Sequence, residues 1–362
     1  MSAQRNVGKP NFVDEHDLLD AQQREAGERT VRLIDEHGLR TVRMIWVDQH
    51  GVPRCKFMSA VDYASSLSSG IDFSAALLSM DSANNVFTPL FVPGGGFDIE
   101  ELTGFPDMVL VPDPTTFRIL PWADRTGWVL TDAYFTNGRP VPLDARRLLR
   151  DQVAAARDAG YDFLAGLEVE FYVVRRDNGG RIELSETGWP PPPPRISAIE
   201  HGYQYLSEVR LAGINHVVEP LRDAYIDLGL PLRSIEDEWG PGQLEVTFDP
   251  LAGVEAADAM ILFRTTAKQV AEQLGLHASF MCRPGLPNFF SSGWHLHESL
   301  RESATGRNAF VSESEDQLLS DAGLQFVAGL LEHAIPMTVF TTPTINGYKR
   351  FKPYSFAPDS VN

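Results

Sequence analysis

The stretch "YDFLAGLEVEFYVV", residues 161–174, reads as a buried β-strand, yet it carries Glu168 and Glu170 around a single valine. Strand side chains alternate between faces, so both carboxylates point one way and Val169 the other. Two like charges on one face of a half-buried strand cost stability unless something positive stands between them. Any fold open to this chain has to bring a counter-charge to that face.

Two later segments repeat the pattern. "EDEWGPGQLEV" places Glu236, Asp237 and Glu238 before a Gly-Pro-Gly turn, then Gln243 and Glu245 on one face of the next strand. "SSGWHLHESL" puts His295 and His297 on one face of a third strand. If the three strands share a sheet, Glu168, Glu170, Glu238, Glu245 and His295 converge. Four carboxylates and an imidazole suit Mg²⁺ or Mn²⁺ better than zinc, which favours sulfur and nitrogen. Two such ions in one cleft would clamp phosphate oxygens and neutralise transferred charge. Each motif alone has a plainer reading: a solvated sheet face, a surface histidine pair, a turn. Their joint presence, in this order, favours the metal reading.

Charge and composition narrow the partners. With 31 basic and 49 acidic residues the chain carries a net −18, which argues against nucleic acid and anionic membrane surfaces. No apolar run is long enough to span a bilayer, and the polar start "MSAQRNVGKPNF" is no secretion signal. Two cysteines, Cys55 and Cys282, cannot make a disulfide framework, so a reducing, cytoplasmic setting is expected.

The rest of the chain reads as α+β without internal repeats. Residues 1–20 look like a flexible arm. "AQQREAGERTVRLIDEHG" has helical spacing stopped at Gly38, and "TVRMIWVDQHGVPRCKF" reads as a hairpin turning at Gln49-His50-Gly51. The Gly-, Pro- and Asn-rich stretch from Leu77 to Asp107 reads as loop. Strands return at Met108–Val111 and Gly127–Tyr134. A linker over Thr136–Pro142 precedes a helix from Leu143 to about Ala159. "WPPPPPR", Trp189–Arg195, reads as a rigid polyproline loop rather than a signalling ligand. Helices are expected at His216–Leu228, Val254–Leu274 and Gln317–Ala334, with strands near Gln243–Phe248, His277–Met281 and Trp294–Glu298. The expected organisation is an arm over 1–20, a first domain over 21–137 and a second over 138–362.

The ordered set "GLEVEFYV", "EWGPGQLEV", "GLHASFMCRPG", "SSGWHLHESL" and "TPTINGYKRFKP" resembles the glutamine synthetase superfamily, and in particular its γ-glutamyl amine ligases. The resemblance runs from the first hairpin to the last residue. It implies a small N-terminal β-grasp domain and a large catalytic domain whose curved antiparallel sheet lines a cleft. It also implies homo-oligomeric rings with active sites between subunits, and longer chains that continue past "APDSVN" with an arginine-rich stretch and a further metal-binding glutamate. Carried over by position, Glu170, Glu238 and Glu245 resemble ligands of one metal, and Glu168 and His295 ligands of a second that holds nucleotide phosphates. His297 and Ser299 match nucleotide contacts. Ser291, Gly293 and Arg350 fall at substrate-binding positions, Arg350 matching the arginine that grips a carboxylate. Asp81 matches an aspartate that reaches a neighbouring subunit's amine site.

The departures bear on the amine. Phe290 and Ser291 stand where the family usually has Asn-Gly, Trp294 replaces a methionine, and Phe356 occupies the position of the flap glutamate. In glutamine synthetases that glutamate helps to deprotonate ammonium, which an aromatic ring cannot do. The resemblance thus implies ATP-dependent ligation of glutamate to an apolar amine, with Phe290, Trp294 and Phe356 lining the amine pocket and Mg²⁺ or Mn²⁺ as cofactor. Ordinary glutamine synthesis is the first rival. A catalytically silent ring and a metal-dependent amidohydrolase are the others.

Overall fold

Residues 11–20 are docked, in place of the expected arm. Helix α1 (Phe12–Glu15) is capped by the Asn11 side chain, and Val13 and Leu19 pack against Val109, Val111 and Tyr134. A polar segment thus hides two apolar anchors. A computed structural model of the chain describes residues 11–89 and 91–351, in two compact units, 1–152 and 153–362.

In the first unit, α2 (Ala21–Glu36) starts where Asp20 and Gln23 exchange side-chain and backbone hydrogen bonds, a reciprocal cap. The hairpin forms as β1 (Thr41–Val47) and β2 (Pro53–Ser59). Helix α3 (Ala60–Ser69) follows, a serine-rich segment with little helical preference, held by burial of Ala60, Tyr63 and Ser66. Strands β3 (Ile71–Ser74), β4 (Asp107–Pro112), β5 (Arg118–Ile119) and β6 (Thr126–Tyr134) complete a mixed sheet in the order β2-β1-β6-β4-β3, with β5 on β6. Only β1 and β6 run parallel within it among the described residues. The division between the units falls inside α4 (Ala145–Asp158).

The second unit is built on one 16-residue strand, β7 (Tyr161–Arg176), long enough to hold several partners along each edge. Strands β8 (Ile196–Ala198), β10 (Gln243–Phe248), β11 (Leu251–Ala252), β12 (Leu276–Ser279) and β13 (Trp294–Glu302) pair with it antiparallel, and β9 (Leu232–Asp237) pairs antiparallel with β10. Glu168 pairs with both Thr247 and His295, so β10 and β13 flank β7 on opposite edges. Helices α6 (Asn215–Asp227) and α7 (Glu255–Gln273) follow from the expected apolar spacing, and the short α5 (Glu208–Gly213), which was not expected, precedes them. One face of β7 is sealed by rings: Phe171 stacks on Phe280 at 5.0 Å, and Phe263 of α7 meets Phe171, Phe248 and Tyr225 edge-on or tilted. Helices α8 (Asp321–Glu332), α9 (Ala334–Thr341) and α10 (Ile345–Tyr348) end the described chain. Among the described residues no single helix is long and apolar enough to cross a membrane.

Candidate active site

The face of β7 opposite the ring cluster carries the acids. Paired residues of neighbouring strands share a face, so each register fixes a row of neighbours. Glu170 faces Glu245, which faces Glu236 in turn. One row along, Glu168 lies between Thr247 and His295. Glu238, two residues past Glu236, reaches the same face, and its backbone N–H bonds to the Gln243 carbonyl. The strands expected to share a sheet do so, and they bring Glu168, Glu170, Glu238, Glu245 and His295 to one surface. Glu236 belongs to this row although only its position before the turn was noted in the sequence. Asp237 points the other way and pairs with Arg210 at 3.2 Å.

Hydrogen bonds set the carboxylates in place. His295 Nδ1 and His297 Nε2 each lie 2.9 Å from a different oxygen of Glu168. Burial raises the Glu168 carboxyl, but the bonds from His297 and His295 outweigh it and hold the group below its ordinary range. Glu170 accepts a 2.7 Å bond from Gln243 Nε2 and shifts upward because it is buried, with the Arg350 charge opposing. Burial pushes Glu238 up to about 7, with the Trp239 N–H opposing and Glu170 adding to the rise. Glu245, 8% exposed, is pushed up to about 8 by burial and then by the charges of Glu168 and Glu238. Buried acids that raise one another in this way call for a cation.

Gln243 is the residue the sequence reading undervalued. Its Nε2 reaches Glu170, the Ser291 carbonyl at 3.1 Å and Ser292 Oγ at 3.2 Å. Its Oε1 accepts from Gly240 N–H at 2.9 Å and from the Tyr172 hydroxyl at 3.1 Å. One buried amide thus locks the β9–β10 turn to the 290–293 loop. Two glycines make room. A Cβ on Gly293 would sit 2.5 Å from both Glu170 Oε1 and His295 Nε2, and one on Gly240 would sit 2.1 Å from the Tyr172 hydroxyl.

The remaining expected residues scatter. His297 and Ser299 share the His295 face of β13, Ser299 pairing with Leu164. Arg350 follows α10, which Asn346 clasps to the backbone N–H and carbonyl of Arg283. Asp81 lies in the first unit, where its carboxylate accepts from the N–H groups of Ala83 and Asn85. The Phe290 N–H lies 2.7 Å from the Tyr172 hydroxyl, which bonds to Gln243. Trp294 is not on the acidic face. It pairs with Val169, so it faces the ring cluster, 6.2 Å from Phe280 and with Arg264 over its ring. Adjacent strand residues cannot share a face, and His295 holds the acidic one. Phe356 lies outside the described residues.

The donors are oxygen-rich, which fits a hard divalent cation. Among the described residues, however, no three His, Cys, Asp or Glu side chains are gathered closely enough to enclose a metal ion. The sheet supplies facing pairs rather than a finished cage.

This arrangement has counterparts. The model of the glutamine synthetase catalytic domain matches residues 142–362. The chain belongs to the glutamine synthetase family. It is 40% identical over 358 residues to a γ-glutamylanilide synthase of an Acinetobacter species, covering 97% of this chain and 71% of that protein. A glutamate–isopropylamine ligase of a Pseudomonas species is 31% identical over 325 residues, 90% of this chain and 68% of the other. Among solved structures, GmaS bound to ADP superposes with a TM-score of 0.71 at 26% identity, covering 89% of this chain and 66% of that one. The chain therefore spans roughly two thirds of the length of these glutamine synthetase relatives. The family joins carbon to nitrogen, using ATP and divalent metals.

Proposed function

We propose that this glutamine synthetase homologue is an ATP-dependent ligase that joins the γ-carboxylate of glutamate to an apolar primary amine, aromatic or short alkyl, and uses ammonia poorly. The observation that carries the reading is the likeness along 97% of the chain to a γ-glutamylanilide synthase, in a protein whose β7–β10–β9 face gathers the acids. The γ-phosphoryl group of ATP passes to a γ-carboxylate oxygen of glutamate, and the bond to ADP breaks. The amine lone pair then attacks the acyl carbon. Phosphate departs with the C–O bonding pair, and the proton shed by nitrogen goes to phosphate or solvent. An aromatic amine is neutral at neutral pH, so it needs no base before attack.

Glu170, Glu238 and Glu245 would hold one Mg²⁺ or Mn²⁺, and Glu168 and His295 a second. Bound there, the ions supply neutralising charge to the phosphates. Arg350 grips a glutamate carboxylate, with Ser291 and Gly293 beside it, and His297 and Ser299 contact the nucleotide. The Asn346 clasp and Gln243 keep these loops in register. In the first unit the parallel β1–β6 pair at the sheet centre supports a β-grasp reading. A ring of identical subunits, with Asp81 serving a neighbour's site, and a cytoplasmic setting complete the proposal. In an assay of ADP release, turnover should require glutamate and an amine together. Release with neither, or with glutamate alone at the full rate, would refute the ligase reading.

A further inference from the structure

Three rings stand at the end of the acidic face. Tyr203, Trp239 and Phe290 meet pairwise at 5.6 to 6.4 Å, and all three interplanar angles lie between 81° and 87°. Three mutually perpendicular planes form the walls of a corner. Each wall is tied to an acid or its support. The Trp239 N–H donates to Glu238 Oε2 at 3.1 Å, and the Tyr203 N–H donates to the Trp239 carbonyl at 2.9 Å. The Phe290 N–H reaches the Tyr172 hydroxyl, which binds Gln243, the residue that holds Glu170.

The corner is not simple core. Tyr203 is 52% exposed, and Trp239 and Phe290 are half-buried. Tyr203 and Leu206 hold positive φ angles of 73° and 52°, a costly conformation for side chains of this size. The bonds from Tyr203 N–H to Trp239 and from Leu206 N–H to Asp237 keep that loop over the acids. An aromatic ring left in water beside buried carboxylates has apolar area to offer a ligand, worth about 25 cal/mol per Å² covered. Ring edges and faces set at right angles also suit a bound ring better than a flat wall does.

Resting on the ligase reading above, we propose that Tyr203, Trp239 and Phe290 form the subsite for the apolar body of the amine, directing its nitrogen toward Glu238. Trp294, on the far face, takes no part. The corner favours an aromatic or branched alkyl amine and gives nothing to ammonia or hydroxylamine, which have no apolar body.

The test compares two amines in the full chain. Tyr203 lies on an exposed loop, so Tyr203→Ala removes one wall with little risk to folding, and Phe290→Leu is a second, more conservative variant. ADP release with glutamate is measured for aniline and for hydroxylamine. In both variants the ratio of kcat/KM for aniline to that for hydroxylamine should fall by about tenfold, the factor that corresponds to about 1.4 kcal/mol of lost contact. If the wild type turns over both amines and the ratio stays within twofold in both variants, the subsite is elsewhere. If the wild type releases no ADP with glutamate and either amine, the ligase reading itself fails, and the subsite with it.

Discussion

Glu170→Ala should cut glutamate-dependent ADP release by at least about 10²-fold, the scale on which loss of one electrostatic stabiliser of a reacting group acts. The fold should survive. Glu170 is one of several acids crowding a face, so its removal relieves repulsion among those that remain. Gln243 Nε2 loses one acceptor but keeps the Ser291 carbonyl and Ser292 Oγ, enough for both of its hydrogens. The melting temperature without divalent ions should therefore stay level or rise while activity collapses. A variant that unfolds, or one that keeps wild-type turnover, would each contradict the role given to this carboxylate.

Stability should also respond to pH and cations together. Glu238 and Glu245 titrate near 7 and 8 in the fold, above the ordinary glutamate value of 4.5. The folded chain then binds these protons more tightly than the unfolded chain does. Their contribution is present at low pH and is lost as pH rises from about 4.5 through about 8, because burial disfavours the ionised acids and they repel one another without a counter-ion. Mg²⁺ or Mn²⁺ requires the ionised forms, so protons compete with it. The rise in melting temperature on adding Mn²⁺ should be larger at about pH 8.5 than at about pH 6. In calorimetry, a cation effect that is absent or shrinks with rising pH would oppose the assignment. His295→Ala should reduce that increment too, since it removes the partner of Glu168.

Much of the site was legible because strand alternation is strict. Glu168 with Glu170, Gln243 with Glu245, and His295 with His297 each share a face by parity alone, and the registers place those faces together. The same parity separates Trp294 from His295, a signal present in the sequence and outweighed there by the family position. The long helices and the first hairpin were marked by apolar spacing and by turn residues such as Gly51. Helix α3 was not, because its serines carry no helical pattern and packing alone decides its state. The docking of residues 11–20 depends on Val13 and Leu19 meeting strands far along the chain, which local composition does not reveal. The aromatic corner was hidden for the same reason. Tyr203, Trp239 and Phe290 come from three separated segments, and only the folded β9–β10 turn brings them together.

The central claim is the choice of amine, and a single competition measures it. Wild-type protein is given glutamate, ATP and Mg²⁺ with ammonium and aniline at equal concentration, and the amide products are separated and weighed by mass spectrometry. The account predicts the anilide of glutamate in clear excess over glutamine. Glutamine as the main product would contradict it.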